Sequence, residues 1–400
     1  MNTSFFEVNR NSLVAAVNEE GFIMLSAYTQ MQRGNDASFT FEQEANFWWL
    51  TGIEAPDWQV IIDGVHNKSW LVMPIVSNIH QIFDGSLSVQ QAKSISGIQD
   101  VISVEQAQTL LKEAVKKHSI IYTLGEHPDE KHYDFIVNPA QRVLHSSLER
   151  QCSDVRDCRL LLAKLRAIKQ PEEIRSIKKA IKITNAAFVD MKSKLETLSH
   201  EYEVEAEFTY AFRRSGAKGH AYDPIVASGK NACTLHYNDN NAPLKKGTLL
   251  LIDIGARVNG YAADVSRTYA IGTPTKRQIQ VHKAVECAHT EIIGLLQPGL
   301  NVKKYHEQVD KIMKVALDEL GLLKQASDYR KYFPHAISHG LGIDVHDSLG
   351  SPETFQPGMV LTVEPGIYIL EEGIGVRIED DILITDIGHE NLSGGLSTDL

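Results

Sequence analysis

Residues 249–271 read LLLIDIGARVNGYAADVSRTYAI and predict a β-hairpin with one aspartate on each strand. An apolar strand leads to Asp253, Asn259-Gly260 is the strongest short hairpin signal, and the second strand carries Asp264. With a two-residue turn, position 258 faces 261 and, by extension, position 253 faces 266. Because side chains alternate faces along a strand, Asp264 shares a face with Asp253, roughly 7–8 Å away at the backbone.

An aspartate at the end of an apolar strand is unfavourable unless it has a partner. Burial of an unpaired carboxylate either costs free energy or forces the group to protonate. Two close carboxylates also repel each other unless a cation lies between them. Either residue alone would be interpreted as a turn or surface acid, but Asp253 and Asp264 on one face favour a cation site.

Three histidines follow in residues 334–347, PHAISHGLGIDVHD. A single histidine is usually a satisfied polar or core residue, but His335, His339 and His346 lie close together. Gly340 and Gly342, between them, would let the backbone and a ligand approach closely. This segment therefore adds imidazole groups to the predicted cation site.

Two predicted strands, 360–367 (VLTVEPGI) and 375–384 (GVRIEDDILI), each place a glutamate, Glu364 or Glu379, in an apolar run. An acid in such a run should face solvent or meet a cation. Four carboxylates and one imidazole form a set of hard ligands that suits Mn²⁺, Co²⁺ or Zn²⁺. The acids outnumber what one ion can use, so the residues alone predict a dinuclear metallohydrolase.

The rest of the chain predicts two domains. Residues 1–160 alternate predicted strands with helices, which predicts an α/β domain; the segments are strands at 21–26, 58–63, 69–74 and 119–124 and a helix at 104–117. Residues 161–400 form the second domain, with predicted helices at 160–168, 171–198, 279–297 and 302–320. Pro171 followed by two glutamates fits a helix start.

Composition excludes several classes of protein. The net charge of -11 over 400 residues argues against a nucleic-acid binder. No window approaches 18 apolar residues and the start lacks a signal peptide, so we expect a cytoplasmic protein without membrane contact. The four cysteines indicate reduced thiols, although the sequence leaves a Cys152–Cys158 bridge open.

The ordered candidate ligands and their surroundings resemble the pita-bread metallopeptidases, nearest to Xaa-Pro aminopeptidase (aminopeptidase P) and Xaa-Pro dipeptidase (prolidase). The resemblance covers about residues 165–400 and includes HYNDN at 236–240 and PGMVLTVEPGIY at 357–368. FEQEANFWWLTG at 41–52 is similar to the first domain of aminopeptidase P. The resemblance implies an α/β (α+β) protein: a creatinase/aminopeptidase P-like α/β domain for oligomerisation and substrate gating, then a catalytic pita-bread domain with a curved antiparallel sheet flanked by helices.

The resemblance also implies the metal ligands and the reaction. Asp253 would bind one ion, Asp264 and Glu379 would bridge two, and His339 and Glu364 would complete the set. The two divalent ions are expected to be Mn²⁺, with Co²⁺ or Zn²⁺ as alternatives. A water or hydroxide between them would attack the bond between an N-terminal residue and proline, with Glu364 as the proton shuttle.

Other positions match residues that contact substrate in the family. His236, His335 and His346 would be catalytic and substrate-binding, donating hydrogen bonds to the carbonyl and its developing oxyanion. Tyr368 and Arg377 would also contact substrate or hold a ligating carboxylate, although packing and charge balance explain them equally well.

Three alternatives remain. Prolidase would be restricted to dipeptides, but residues 347–356 contain no arginine to hold a substrate carboxylate. A non-catalytic pita-bread binding protein would usually lack metal ligands, and so do creatinase-like proteins, whereas this sequence has all five. Methionine aminopeptidases share the ligands but normally lack the first domain. The family implies peptide substrates with a free N-terminus. It also implies a homodimer or higher homo-oligomer. Residues 47–49 (FWW) would either form a contact between subunits or fill the core of the first domain.

Overall fold

The computed structural model describes residues 1–17, 21–118, 120–125 and 136–400, which divide into two units, Met1–Leu165 and Arg166–Leu400. The sequence placed the boundary after residue 160. All four cysteines carry free thiols, so Cys152 and Cys158 are not bridged. Among the described residues, none of the helices has the length and apolar character needed to cross a bilayer.

The first unit contains a six-stranded mixed sheet in the order β4-β3-β2-β1-β5-β6. Its strands are β1 Phe22–Ser26, β2 Gln59–Asp63, β3 Lys68–Val72, β4 Asp100–Ile102, β5 Ile121–Thr123 and β6 Val155–Asp157. Helices at Thr3–Ala16, Ala45–Thr51, Asn78–Phe83, Val89–Ser96, Val104–Lys117 and Ala140–Glu149 complete it, and helix Arg159–Ala167 spans the boundary. The predicted α/β architecture is confirmed.

Local sequence signals explain much of this unit. The four predicted strands correspond to β1, β2, β3 and β5, although Ser119, the predicted start of the last, lies outside the described residues. Helix Val104–Lys117 has the predicted bounds and begins with a capping box from Ser103. The aromatic residues Phe47, Trp48 and Trp49 are at most 6% exposed, which favours the alternative that they fill the core of this unit over a contact with a partner subunit.

The second unit contains four small antiparallel sheets, ordered β11-β10-β7, β12-β9-β8, β13-β16-β17 and β14-β15. The strands are β7 Gly219–His220, β8 Ile225–Ser228, β9 Leu249–Asp253, β10 Ala256–Val258, β11 Tyr261–Ala262, β12 Ser266–Ala270, β13 Val360–Val363, β14 Gly366–Ile369, β15 Ile374–Arg377, β16 Asp380–Ile384 and β17 His389–Asn391. The helices are Pro171–Lys194, Glu201–Arg214, Lys276–Leu295, Val302–Glu319 and Asp328–Tyr332. A large apolar core joins two of these helices, Lys276–Leu295 and Val302–Glu319, to the strands.

Two segments of this unit that the sequence predicted as single strands are each divided into two. Segments 360–367 and 375–384 are each broken into two strands, β13 with β14 and β15 with β16. Strand β13 pairs with β16, and β14 pairs with β15. Pro365 lies in the first break, where it has no N–H for a ladder, and Glu379 lies in the second, where it forms an isolated bridge with Ser266. The breaks place both glutamates outside regular pairing.

Candidate metal centre

The hairpin brings the two aspartates together. Val258 pairs with Tyr261 and Asp253 pairs with Ser266, as the sequence predicted. Asn259 and Gly260 have φ of 51° and 85°, the two positive values that a type I′ turn requires. Asp253 ends β9 as predicted, but Asp264 lies between β11 and β12, so its predicted position within a strand was wrong.

Tyr222 joins the two carboxylates, a contact that the sequence analysis missed. Its hydroxyl lies 2.6 Å from Oδ1 of Asp253 and 2.6 Å from Oδ1 of Asp264. A hydroxyl has one proton, so it can donate to only one of them at a time. Burial raises the pKa of Tyr222 well above its usual value, and the negative charges of both aspartates raise it further. The residue stays neutral and can donate.

His339 is the centre of the ligand cluster. Its Nε2 lies 3.4 Å from Oδ2 of Asp264 and 3.5 Å from Oε1 of Glu364. Its Nδ1 lies 3.0 Å from the carbonyl oxygen of Gly340, a contact that fixes the ring and leaves Nε2 for a cation. Asp264, His339 and Glu379 each offer a ligand atom, and these atoms lie within 4.8 Å of one another.

The strand breaks aim the two glutamates at this cluster. The N–H of Glu364 donates to the carbonyl of Ile337 over 3.0 Å, which holds the first break beside the histidine segment. At the second break, the Ser266 hydroxyl donates to Oε2 of Glu379 over 2.7 Å. Sequence analysis missed Ser266, because a serine in a strand gives no local signal of its partner.

Burial makes the charged forms of the carboxyl groups in this cluster unfavourable. Burial raises the pKa of Glu364 to about 7, and burial also raises the pKa values of Asp264 and Glu379. Burial opposes the charged form of His339, but its hydrogen bond with Asp264 and the charge of Glu364 outweigh this and raise its pKa to about 9. The positive charges of His339 and Arg377 would lower the pKa of Glu364, but burial outweighs them, and the charges of Asp264 and Asp253 add to its effect. This donor set fits divalent cations.

Arg377 and Tyr368 belong to one hydrogen-bonded network. Buried Arg377 donates from Nη2 to Oδ2 of Asp253, from Nη1 to the Tyr368 hydroxyl over 2.9 Å, and from Nε to Oγ of Ser266 over 2.9 Å. Arginine therefore reaches the carboxylate of Asp253 directly and that of Glu379 through Ser266. Such contacts orient ligating carboxylates.

The three pocket histidines have different surroundings. Nε2 of His335 lies 2.8 Å from the Tyr368 hydroxyl, and its Nδ1 lies 3.6 Å from Oε2 of Glu364. Burial, followed by the charge of Arg377, lowers the pKa of His335 to about 4, so it is neutral. The rings of His346 and His339 have centroids 4.3 Å apart. His236 is exposed, although its neighbours Leu235 and Tyr237 pack in the cluster that contains Tyr368.

A further acid, Asp381, contacts the backbone of the candidate ligand Asp264. It is fully buried, and its Oδ2 accepts from the N–H of Asp264 over 3.2 Å. Burial raises its pKa well above the usual value, followed by the charge of Asp264. The doublet Asp380-Asp381 in an apolar strand was the sequence signal that could have identified it.

Two family descriptions match the chain. "Metallopeptidase family M24" matches residues 175–386, and "Aminopeptidase P, N-terminal domain" matches residues 6–122. The Xaa-Pro aminopeptidase of Haemophilus influenzae is 31% identical over 418 residues, covering 99% of this chain and 95% of that protein.

Solved structures of similar sequence share the fold. The low-pH form of Escherichia coli aminopeptidase P aligns with a TM-score of 0.87 and 29% identity, covering 99% of this chain and 96% of that one. A zinc-substituted form of the same enzyme, in complex with product, aligns with a TM-score of 0.86 over the same shares at 29% identity. The likeness therefore extends over both units.

Proposed function

The chain belongs to metallopeptidase family M24 and is a proline-specific metallopeptidase, and from this premise we propose that it removes the N-terminal residue from peptides whose second residue is proline. One observation carries the proposal: the ligand atoms of Asp264, His339 and Glu379 lie within 4.8 Å of one another, with Glu364 beside them. Cleavage of longer Xaa-Pro peptides is proposed over the prolidase alternative.

We propose that two divalent ions, Mn²⁺ for preference, are held by Asp253, Asp264, His339, Glu364 and Glu379. Such a pair lowers the pKa of a water molecule and polarises the scissile carbonyl. The buried carboxylates support this assignment: burial first, and the charges of the neighbouring acids after it, raise the pKa values of Glu364 and Glu379, and a bound cation would stabilise their charged forms.

The other residues would orient groups and move protons. Glu364 would take a proton from water and deliver it to the proline nitrogen, which needs one because a Xaa-Pro bond has no N–H. His346 and His236 would donate hydrogen bonds to the carbonyl and the developing oxyanion. His335 would line the substrate pocket beside them, since its Nδ1 lies 2.7 Å from the carbonyl oxygen of Ala336 and its Nε2 faces the Tyr368 hydroxyl. Arg377 would hold Asp253 in place and keep the Tyr368 hydroxyl, which it contacts over 2.9 Å, directed at His335.

Activity after metal removal tests this function. We expect the chelated protein to be inactive and to recover with Mn²⁺, cleaving Xaa-Pro-Yaa but not Xaa-Ala-Yaa peptides. Asp264→Asn should lower kcat/KM by more than about 100-fold, since loss of an outer partner alone costs 10–100-fold. Asp386→Asn, at an exposed acid of the same unit, is the matched control and should retain activity. Cleavage of Xaa-Pro dipeptides alone would favour prolidase, and full activity without metal would refute the metal mechanism.

We also propose that the first unit mediates self-association and gates substrate, in a cytoplasmic homodimer or larger homo-oligomer. The short helix Asn78–Phe83 buries none of its residues. Ile79, Ile82 and Phe83 on this helix are 70%, 78% and 81% exposed, and nearby Ile75 is 81% exposed. A contiguous apolar patch of this kind is typical of a protein–protein interface.

A further inference from the structure

Glu379 lies in the break between β15 and β16, so a regular ladder does not fix its backbone. Two consecutive residues of β12 bind its polar groups instead. The N–H of Glu379 donates to the carbonyl of Ser266 over 3.1 Å, and its own carbonyl accepts from Nη1 of Arg267 over 2.8 Å. Its carboxylate oxygen Oε2 accepts from the Ser266 hydroxyl over 2.7 Å. Backbone and side chain of this one residue are therefore held by the same dipeptide.

The direction of the proton on Ser266 follows from its second partner. Nε of Arg377 lies 2.9 Å from Oγ of Ser266, and a guanidinium can only donate. Ser266 must therefore accept from Arg377, and its single proton is directed to Oε2 of Glu379. Ser266 is 0% exposed, so bulk water cannot replace this hydroxyl. The hydroxyl fixes the carboxylate plane, and both carboxylate oxygens keep a lone pair for a cation.

Arg267 holds the backbone from the other side of β12. It is 1% exposed and pairs with Oδ1 of buried Asp380 over 2.7 Å. Its remaining donors contact the carbonyls of Ser266, Leu396 and Ser397 at 2.9, 3.0 and 3.1 Å. A planar fork with this many fixed acceptors cannot rotate, so the carbonyl of Glu379 is held rigidly.

We propose that Ser266 and Arg267 are positioning residues for Glu379, with Ser266 setting the direction of its carboxylate and Arg267 setting its backbone. This inference rests on the proposed metal centre, in which Glu379 is a ligand. Partners of ligating carboxylates typically change metal affinity 10–100-fold when they are removed.

Metal titration of Ser266→Ala tests the role of the hydroxyl. We expect the affinity for Co²⁺, measured by calorimetry, to fall by about 10-fold, with a change in the visible Co²⁺ spectrum. Ser266→Thr keeps a hydroxyl and should restore affinity and spectrum towards those of the wild type. Ser96→Ala is the matched control, since Ser96 is a 0% exposed serine of the first unit whose hydroxyl donates to Ala92. It should leave Co²⁺ binding unchanged.

Arg267→Lys tests whether Arg267 holds the backbone of Glu379. Lysine keeps the charge but lacks the fork, so Co²⁺ affinity should fall together with the melting temperature. If this variant does not fold, the serine variants still decide the proposal. Wild-type affinity and spectrum in Ser266→Ala would overturn the inference while leaving the metal centre intact. Failure of the wild-type protein to bind Co²⁺ at all would instead overturn the proposed function, and this inference with it.

Discussion

At the scale of single residues, His339 and Glu364 have raised pKa values of about 9 and about 7 in the absence of a cation. A group whose pKa is raised by folding contributes to the stability of the metal-free fold. The contribution is fully present when the pH is below the pKa that the group has in the unfolded chain. That contribution is lost as pH rises through about 7 for Glu364 and about 9 for His339. Protons therefore occupy the metal-free site near neutral pH, where a divalent cation must displace them.

Binding of Mn²⁺ near pH 7 should therefore release protons, because both groups must deprotonate to act as ligands. Calorimetry in two buffers of different ionisation enthalpy measures this release directly. Apparent affinity should increase as pH rises and level off once His339 has titrated, at about 9. Glu364→Gln should release fewer protons than the wild type. A binding enthalpy that is the same in both buffers would contradict this expectation.

The types of residue in the sequence allowed the candidate ligands to be predicted, but not the hydrogen bonds that orient them. Asp253, Glu364 and Glu379 were recognisable because a carboxylate in an apolar strand needs a partner. Tyr222 and Ser266 were not, because neutral hydroxyl groups are tolerated almost anywhere and their partners are distant in sequence, 31 and 113 residues away.

At the scale of elements, Glu201 connects a helix to the segment that carries His236. It is the first residue of helix Glu201–Arg214 and is 0% exposed. Its carboxylate accepts from the N–H and hydroxyl of Ser228 at 2.7 Å each, from Asn231 at 3.2 Å, from the Tyr237 hydroxyl at 2.9 Å and from the N–H of Ala242 at 2.8 Å. Every one of these partners is a donor.

Glu201→Gln should therefore destabilise the protein, because an amide would turn a donor towards other donors. We expect the free energy of unfolding, measured in urea, to fall by about 2–3 kcal/mol, with a higher KM if His236 contacts substrate. Glu203→Gln, at a less buried acid of the same first turn, should lower the free energy of unfolding much less. Equal effects of the two substitutions would refute this account of Glu201.

The hairpin was predictable at this scale and the strand breaks were not. The turn at Asn259-Gly260 fixes the register locally, so the facing of Asp253 and Asp264 followed from the sequence. The runs at 360–367 and 375–384 have uniform β propensity, and their breaks arise from pairing between distant strands, β13 with β16. Local patterns carry no information about such pairing.

At the scale of the whole molecule, the exposed helix Asn78–Phe83 predicts the assembly state. Ile79→Lys combined with Phe83→Glu should lower the molar mass measured by light scattering to that of a monomer, since burial of a charge at an interface is unfavourable. Both side chains are at least 70% exposed, so the fold should tolerate the change. Ile387→Lys, at an isolated side chain that is 97% exposed in the second unit, is the control. An unchanged mass in the double variant would exclude this helix as the interface.

The bridge between Ser266 and Glu379 joins residues 113 positions apart in the chain. Closing so long a loop costs entropy before the contact repays it, so such pairings form late in folding. We therefore expect the ligand atoms to meet only after most of the second unit has folded, so that an ion does not nucleate folding. Metal should therefore act on the finished protein, slowing its unfolding without accelerating its folding.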